Sequence, residues 1–82
     1  MEMNEKLRNE RLVKIGLNIA YYRKLKGLSQ EQLAEAAEIS RQWLGQVEAP
    51  GLVTPISLDS LFSIADALRV EPAVILDFSR QV

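Results

Sequence analysis

The sequence predicts an all-α fold, a compact domain built from five short helices. Apolar residues recur at steps of three and four along most of the chain, which is the spacing of one face of an α-helix. Only three prolines and four glycines interrupt the chain, and no segment alternates strands and helices as a parallel sheet requires. At 82 residues the chain is long enough for one domain with one modest core and too short for two.

The composition excludes most classes of enzyme and metal protein. The chain has no cysteine and no histidine, so it has no disulfide, no thiolate nucleophile, no imidazole base and no ordinary zinc site. We therefore expect neither catalysis nor a cofactor. No apolar run follows a basic start at the N-terminus, and nowhere do about 18 apolar residues follow one another. We expect a cytoplasmic protein that does not contact a membrane.

Charge is distributed unevenly along the chain. The formal net charge is −1 and the pI is near 5.4, which argues mildly against nucleic acid, because proteins that bind it usually carry surplus Lys and Arg. Residues 1–30, however, contain seven basic and three acidic residues, a net +4, whereas residues 31–82 contain three basic and eight acidic residues, a net −5. The basic end could meet phosphates while the acidic end stays in solvent or meets another protein.

The first helix is predicted over residues 12–26. Residues 1–11 are polar, of mixed charge and without periodicity, so they form an N-terminal arm of the domain at 12–82, either flexible or a solvated extension of the helix. Gly16 destabilises the helix by about 1 kcal/mol relative to alanine, which favours close packing of a neighbouring helix over mere tolerance. Gly27 ends the helix, because a residue without Cβ readily adopts the left-handed cap conformation. The apolar stripe consists of Leu12, Ile15, Ile19 and Tyr22.

Two short helices joined by a tight turn follow. Ser29 and Gln32 have the spacing of a capping box, which predicts a second helix over residues 30–37. In the turn after it, Ser40 caps a third helix over residues 41–48. The buried sides of these helices and the turn consist of small and aliphatic residues: Leu33, Ala34, Ala37, Ile39, Leu44 and Val47.

The C-terminal third of the chain predicts two more helices. Residues 49–56 form a loop rich in Pro and Gly, and its apolar members Leu52, Val53 and Ile56 should pack against the domain. Ser57 caps helix four, which ends near residue 69, and Pro72 opens helix five at its first position. Helix four has an apolar stripe, and helix five is apolar on more than one side: Leu58, Leu61, Phe62, Ala65, Leu68, and then Val74, Ile75, Leu76, Phe78.

Taken in order, these residues resemble the helix-turn-helix domains of the phage repressor and Cro type, the XRE family. The resemblance extends from about Ile15 to Phe78 and implies a compact, five-helix, repressor-like domain. In that family the second helix crosses the DNA backbone and the third lies in the major groove. The matching residues are Ile15-Gly16, Arg23, Gly27-Leu28-Ser29-Gln30, Leu33-Ala34, Ile39-Ser40, Leu44, Val47-Glu48 and residues 57–70.

The polar side of the third helix is the predicted site of base contact. With Leu44 and Val47 directed inward, Arg41, Gln42 and Gln46 project together to the outside. An arginine can bind guanine O6 and N7 in a fork, and a glutamine can bind adenine N6 and N7. The alternative is a solvated polar face made of ordinary helix formers.

Contacts to the DNA backbone are predicted around the amino ends of the second and third helices. Gln30 stands where free backbone amides and a side-chain donor could meet a phosphate, although it could serve only the cap. Trp43 either donates its indole N–H to a phosphate or packs against the loop, and Lys26 either meets a phosphate or offsets the helix dipole. The complete predicted set is Ser29, Gln30, Ser40, Trp43 and Lys26.

The resemblance also implies an ion pair between Arg23 and Glu48 that ties the first helix to the end of the third. Glu38 stands where the family usually has glycine, so a positive φ there would carry strain of about 1 kcal/mol or more. The loop after the third helix lacks the basic residues often found in relatives. We therefore expect few phosphate contacts, a shallow salt dependence and weak binding by a monomer.

A second copy of the chain would compensate for weak binding, because it supplies a second half-site. The candidate dimer face consists of Val74, Ile75, Phe78 and Val82, although helix five could simply close the core. The sequence thus predicts a sequence-specific DNA-binding regulator, a repressor or autoregulator, that binds double-stranded DNA as a homodimer on a two-fold operator. The alternative is a helix-turn-helix fold that serves as a protein-protein interaction module with another protein as its partner.

Overall fold

The structure, a computed structural model, describes the backbone of residues 2–80 and the side chains of residues 4–80. Over this range the chain is all-helical, without a strand, which confirms the predicted fold class. None of the helices in the described range is long and apolar enough to cross a membrane. The helices in chain order are α1 Glu2–Leu25, α2 Gln30–Ala37, α3 Arg41–Glu48, α4 Leu58–Leu68 and α5 Pro72–Ile75.

Helix α1 extends well beyond the apolar stripe that begins at Leu12. It begins at Glu2, so residues 2–11 form the solvated extension of the helix, the second of the two alternatives for this arm. Its 24 residues at about 1.5 Å each match the longest dimension of the molecule, 37 Å. The segment lacks apolar periodicity because little of it is packed, and it is helical because it contains good helix formers and no Gly or Pro.

The core lies where α1, α2, α3 and α4 meet, and α5 closes it. The buried apolar side chains are Ile15, Ile19, Leu33, Ala34, Ala37, Leu44, Val47, Leu61, Ile64, Ala65, Leu68 and Ile75.

Helix α4 packs through three of the five predicted stripe residues, Leu61, Ala65 and Leu68, but its buried face is turned relative to the prediction. Leu58 and Phe62 are 66% and 48% exposed, whereas Ile64, which the prediction left out, is fully buried. On an eleven-residue helix apolar on several sides, periodicity alone does not fix which stripe faces the core.

The predicted helix caps are present. The Ser29 hydroxyl accepts from the Gln32 backbone N–H at 3.0 Å, and the Gln32 side chain accepts from the Ser29 N–H at 2.9 Å. The hydroxyls of Ser40 and Ser57 accept from backbone N–H groups of α3 and α4, without a reciprocal side-chain bond to the cap N–H, and Pro72 stands at the start of α5. These local signals explain why the predicted bounds of α2 and α3 coincide with the observed ones.

At Gly16 the backbone of α1 lies directly against the backbone of α3. A Cβ built on Gly16 would overlap the backbone carbonyl oxygen of Val47, so only glycine allows this crossing. The close packing inferred from a glycine inside a helix is thereby confirmed.

The segment after α5 is fastened to α1 by a buried amide that sequence analysis did not single out. The side chain of Asn18 donates through Nδ2 to the carbonyl oxygens of Ile75 at 2.8 Å and Asp77 at 2.9 Å. Its Oδ1 accepts from Arg80 Nη2 at 2.8 Å, and the Arg80 guanidinium lies 3.8 Å from the centre of the Tyr21 ring. Asn18 thus satisfies its buried polar atoms with C-terminal groups, which fixes the position of residues 75–80.

Asp77 stabilises the turn in this segment. The hydroxyl of Ser79 donates to Asp77 Oδ1 at 2.7 Å and its backbone N–H donates at 3.0 Å. These two hydrogen bonds, with the nearby Arg80 charge, hold the pKa of Asp77 below its ordinary value. Because the folded-state pKa is lowered, this contribution to stability is complete at neutral pH and is lost as the pH falls through the folded-state pKa.

The loop between α3 and α4 is less packed than predicted. Leu52 and Val53 are 51% and 47% exposed, so the expectation that they pack against the domain was wrong. Ile56 is half-buried against the core as expected. The Thr54 hydroxyl donates to the Gln46 carbonyl oxygen at 3.3 Å.

The turn between α2 and α3 places a charged residue in the left-handed region. Glu38 has a φ of 57°, and its N–H caps α2 by donating to the carbonyl oxygens of Ala34 and Glu35. A side chain with Cβ is strained in this conformation by about 1–2 kcal/mol.

Substituting Glu38→Gly should therefore stabilise the domain by about 1 kcal/mol. Thermal unfolding at fixed protein concentration would show a rise in melting temperature of roughly 4–8 °C. The matched control is Glu35→Gly, which removes the same side chain from within α2 and should destabilise by about 1 kcal/mol. A melting temperature that falls in both variants would contradict the strain argument.

Candidate functional site

The site is built on a buried ion pair. Arg23 of α1 donates from Nε to Glu48 Oε2 at 2.8 Å and from Nη2 to Glu48 Oε1 at 2.9 Å, a two-bonded fork. Nη1 of the same guanidinium donates to the Leu28 carbonyl oxygen at 2.8 Å. The two side chains are only 11% and 4% exposed. The expected ion pair is therefore present, and it joins α1, the turn before α2 and the end of α3.

The same carboxylate also holds Gln30, the first residue of α2. Gln30 Nε2 donates to Glu48 Oε1 at 3.0 Å. An ionised carboxylate can only accept, so the NH2 of the Gln30 side chain must face Glu48. The side-chain carbonyl oxygen, Oε1, must then face the other way. Gln30 Oε1 accordingly lies 3.7 Å from the position that a Cβ on Gly45 would occupy. For the phosphate contact predicted at Gln30, the groups still available are the second hydrogen of Nε2 and the backbone amides at the amino end of α2.

The outer side of α3 brings together the three predicted base-contacting residues. Arg41, Gln42 and Gln46 are all exposed, and in the described part of the chain no hydrogen bond or ion pair engages their side chains. The only carboxylate of α3 is Glu48, which is buried. This face therefore consists of unoccupied donors and acceptors with no exposed negative charge.

A rigid base supports this face. Leu44 is fully buried and Val47 is 4% exposed, so the inward side of α3 is packed. Side chains that project from a packed helix keep their positions better than side chains on a loop.

The residues predicted to contact the DNA backbone lie around the same face but differ in exposure and in hydrogen bonding. The hydroxyls of Ser29 and Ser40 accept from backbone N–H groups as caps, and each keeps its own O–H for donation outward. Lys26 is exposed just beyond α1. Trp43 is half-buried against the core, so most of its ring serves packing.

The predicted dimer face is only partly at the surface. Ile75 is fully buried in the chain's own core, so it closes the domain and has no surface left to offer a second copy. Val74 and Phe78 are half-buried, and Val82 lies outside the described residues. Leu76, which was not predicted to take part, is 46% exposed.

Comparison with known proteins agrees with this geometry. A helix-turn-helix family model matches residues 19–75, which is more than half of the chain. The chain belongs to the XRE family of helix-turn-helix proteins. The matched range includes every residue of the α3 face and the Arg23–Glu48 ion pair, but it excludes Asn18 and Arg80.

Two solved helix-turn-helix structures are similar along most of their length. The restriction-modification controller protein C.AhdI from Aeromonas hydrophila is 38% identical with a TM-score of 0.73, over 78% of this chain and 94% of that chain. The N-terminal DNA binding domain of SinR from Bacillus subtilis is 34% identical with a TM-score of 0.73, over 82% of this chain and 96% of that chain. Among curated protein sequences there is no match.

The buried ion pair of this helix-turn-helix domain gives a direct test. Substituting Glu48→Ala should destabilise the fold by about 3–5 kcal/mol, because the Arg23 charge is left buried without a partner. Urea unfolding would measure the loss. Glu35→Ala on the exposed side of α2 is the control and should change stability by less than about 0.5 kcal/mol. Equal stability of the Glu48→Ala variant and the wild type would show that the ion pair does not stabilise the fold.

Proposed function

We propose that the chain is a sequence-specific DNA-binding transcription regulator that binds a two-fold operator as a homodimer, with α3 in the major groove. The observation on which this proposal rests is the outer face of α3. Arg41, Gln42 and Gln46 project from a packed helix, have no partner within the described range and meet no exposed carboxylate of that helix.

The family and its structures support a DNA-binding transcription regulator as the coarser assignment. SinR is represented by a domain named for DNA binding, and C.AhdI is named as a controller protein. Both resemble this chain over more than three quarters of its length.

The chemistry of the face suits direct reading of base edges. The planar guanidinium of Arg41 can donate two parallel hydrogen bonds to guanine O6 and N7. Gln42 and Gln46 each carry one amide that can accept from adenine N6 and donate to N7. These contacts give sequence discrimination, whereas contacts to phosphate mainly fix the position of the protein.

Phosphate contacts in this proposal are few. They come from the O–H groups of Ser29 and Ser40, the second amide hydrogen of Gln30 and the ammonium of Lys26, close to the amino ends of α2 and α3. Each neutralised phosphate contributes a slope of about −0.9 to log K against log salt. A shallow salt dependence and a weak monomer follow, so a second half-site is needed for useful affinity.

The second copy would dock on the surface shared by α1 and the C-terminal segment. Phe78 lies beside α1, where the ammonium of Lys14 is 5.8 Å from the centre of its ring. Leu17 and Tyr21, one and two turns further along α1, are 39% and 42% exposed. Together with Leu76 and Val74, these residues form the proposed apolar dimer interface.

A protein-interaction module is the second candidate function. The exposed pair Leu52 and Val53 in the loop after α3 favours it, as does the acidic pI of 5.4. Neighbouring exposed apolar side chains can form part of a surface that binds another protein.

Selection from random duplex DNA would test base reading by Arg41. The wild type should enrich one motif, and Arg41→Ala should lose or relax one position of it, with roughly tenfold or greater loss of discrimination there. Arg41→Lys is the matched control for charge. It keeps the cation but not the fork, so it should retain most of the salt-dependent affinity and still lose the base preference.

The two candidate functions give different results in this selection. If the wild type enriches no sequence even at low salt, the protein-interaction module becomes the better account. If Arg41→Ala keeps the motif unchanged, Arg41 does not read a base.

Sedimentation at micromolar concentration would test the dimer. The wild type should sediment as a dimer, and Leu76→Glu should shift it toward monomer, because a desolvated charge opposes apolar docking. Leu52→Glu places the same change at a similarly exposed site of the loop and should leave the dimer intact. A wild type that is monomeric at this concentration would count against the homodimer.

A further inference from the structure

Gly45 is a glycine for which the protein itself supplies no reason. Gly16 is required because a Cβ would overlap the Val47 carbonyl oxygen, and Gly27 has a φ of 75°. Gly45 has neither property and lies in the middle of α3. A glycine inside a helix is less stable than alanine, so the stability of the fold does not explain this residue.

The surroundings of Gly45 leave room for a side chain. The nearest atoms to an added Cβ would be Gln30 Oε1 at 3.7 Å and Arg41 Nη1 at 3.8 Å, which are ordinary van der Waals distances. Alanine would therefore fit in the free protein. The space above the Gly45 Cα is thus a notch bordered by the side-chain amide oxygen of Gln30 and the guanidinium of Arg41.

One wall of this notch, the Gln30 side chain, is held in place from below. Glu48 accepts from Gln30 Nε2, so the amide oxygen of Gln30 is directed toward Gly45. Glu48 itself is fixed by the fork from Arg23. The notch is thus continuous with the buried ion pair, and it lies between Arg41, Gln42 and Gln46 on the same outer face of α3.

We propose that Gly45 is the position of closest approach between α3 and DNA, where the edge of a base pair lies directly over its Cα. This inference rests on the proposed function. It adds that DNA recognition also depends on the absence of a side chain at position 45. Arg41, Gln42 and Gln46 reach base edges only if α3 sits deep in the groove, and Gly45 permits that depth. Any side chain at this position lifts the helix away from the bases that its neighbours read.

Substituting Gly45→Ala separates folding from recognition. The melting temperature should rise by about 3–6 °C, because alanine favours the helix and meets no clash in the free protein. Affinity for the sequence selected by the wild type should fall roughly tenfold, because an added methyl group at a close-packed contact is poorly tolerated. Gly45→Leu, a good helix former with a larger side chain, should deepen the loss of affinity.

Gly51→Ala is the matched control. Gly51 lies in the loop after α3, and a Cβ there would meet no atom within 4 Å. It should leave affinity for the selected sequence unchanged. The inference is overturned if Gly45→Ala binds that sequence as tightly as the wild type, or if it lowers the melting temperature. A wild type that selects no sequence overturns the proposed function and this inference with it, whereas an unaffected Gly45→Ala overturns the inference alone.

Discussion

The buried fork between Arg23 and Glu48 is the interaction on which the placement of the outer face of α3 depends. Removing two charges from water is costly, and an ion pair tolerates burial only if its geometry is good and the remaining polar atoms find partners. Here they do: Arg23 also donates to the Leu28 carbonyl oxygen, and Glu48 also accepts from Gln30. One pair of side chains therefore fixes the end of α1, the start of α2 and the end of α3 relative to one another.

This arrangement divides the residues of α3 between two tasks. The inward residues and Glu48 determine where the helix lies, and the outward residues determine which hydrogen-bonding groups face the solvent. Gln30 stands between the two groups. Its side-chain NH2 donates to the buried carboxylate of Glu48, and its side-chain carbonyl oxygen borders the outer face. A change at Glu48 would consequently alter both the stability of the domain and the surface offered to a partner.

The sequence predicted most reliably what is decided locally. The caps at Ser29 and Ser40 and the glycine after α1 act within a few residues, and the bounds of α2 and α3 follow from them. The sequence left open whether residues 2–11 are helical, because apolar periodicity reports burial and these residues are helical without much packing. The bonds of Asn18 to the C-terminal segment span more than fifty residues of chain, and no local pattern announces such a pairing. For the candidate site, the identity of the outward residues was readable from α3, but the orientation of Gln30 was not.

The contact between Gly16 and Val47 has a mechanical consequence. Where helices touch through side chains, a change of rotamer can absorb a small displacement, but at Gly16 the backbone of α1 rests on the backbone of α3. No side chain lies between the two backbones at this point, so neither helix can move closer to the other. This contact therefore sets the distance between the axes of α1 and α3, whatever side chains surround it.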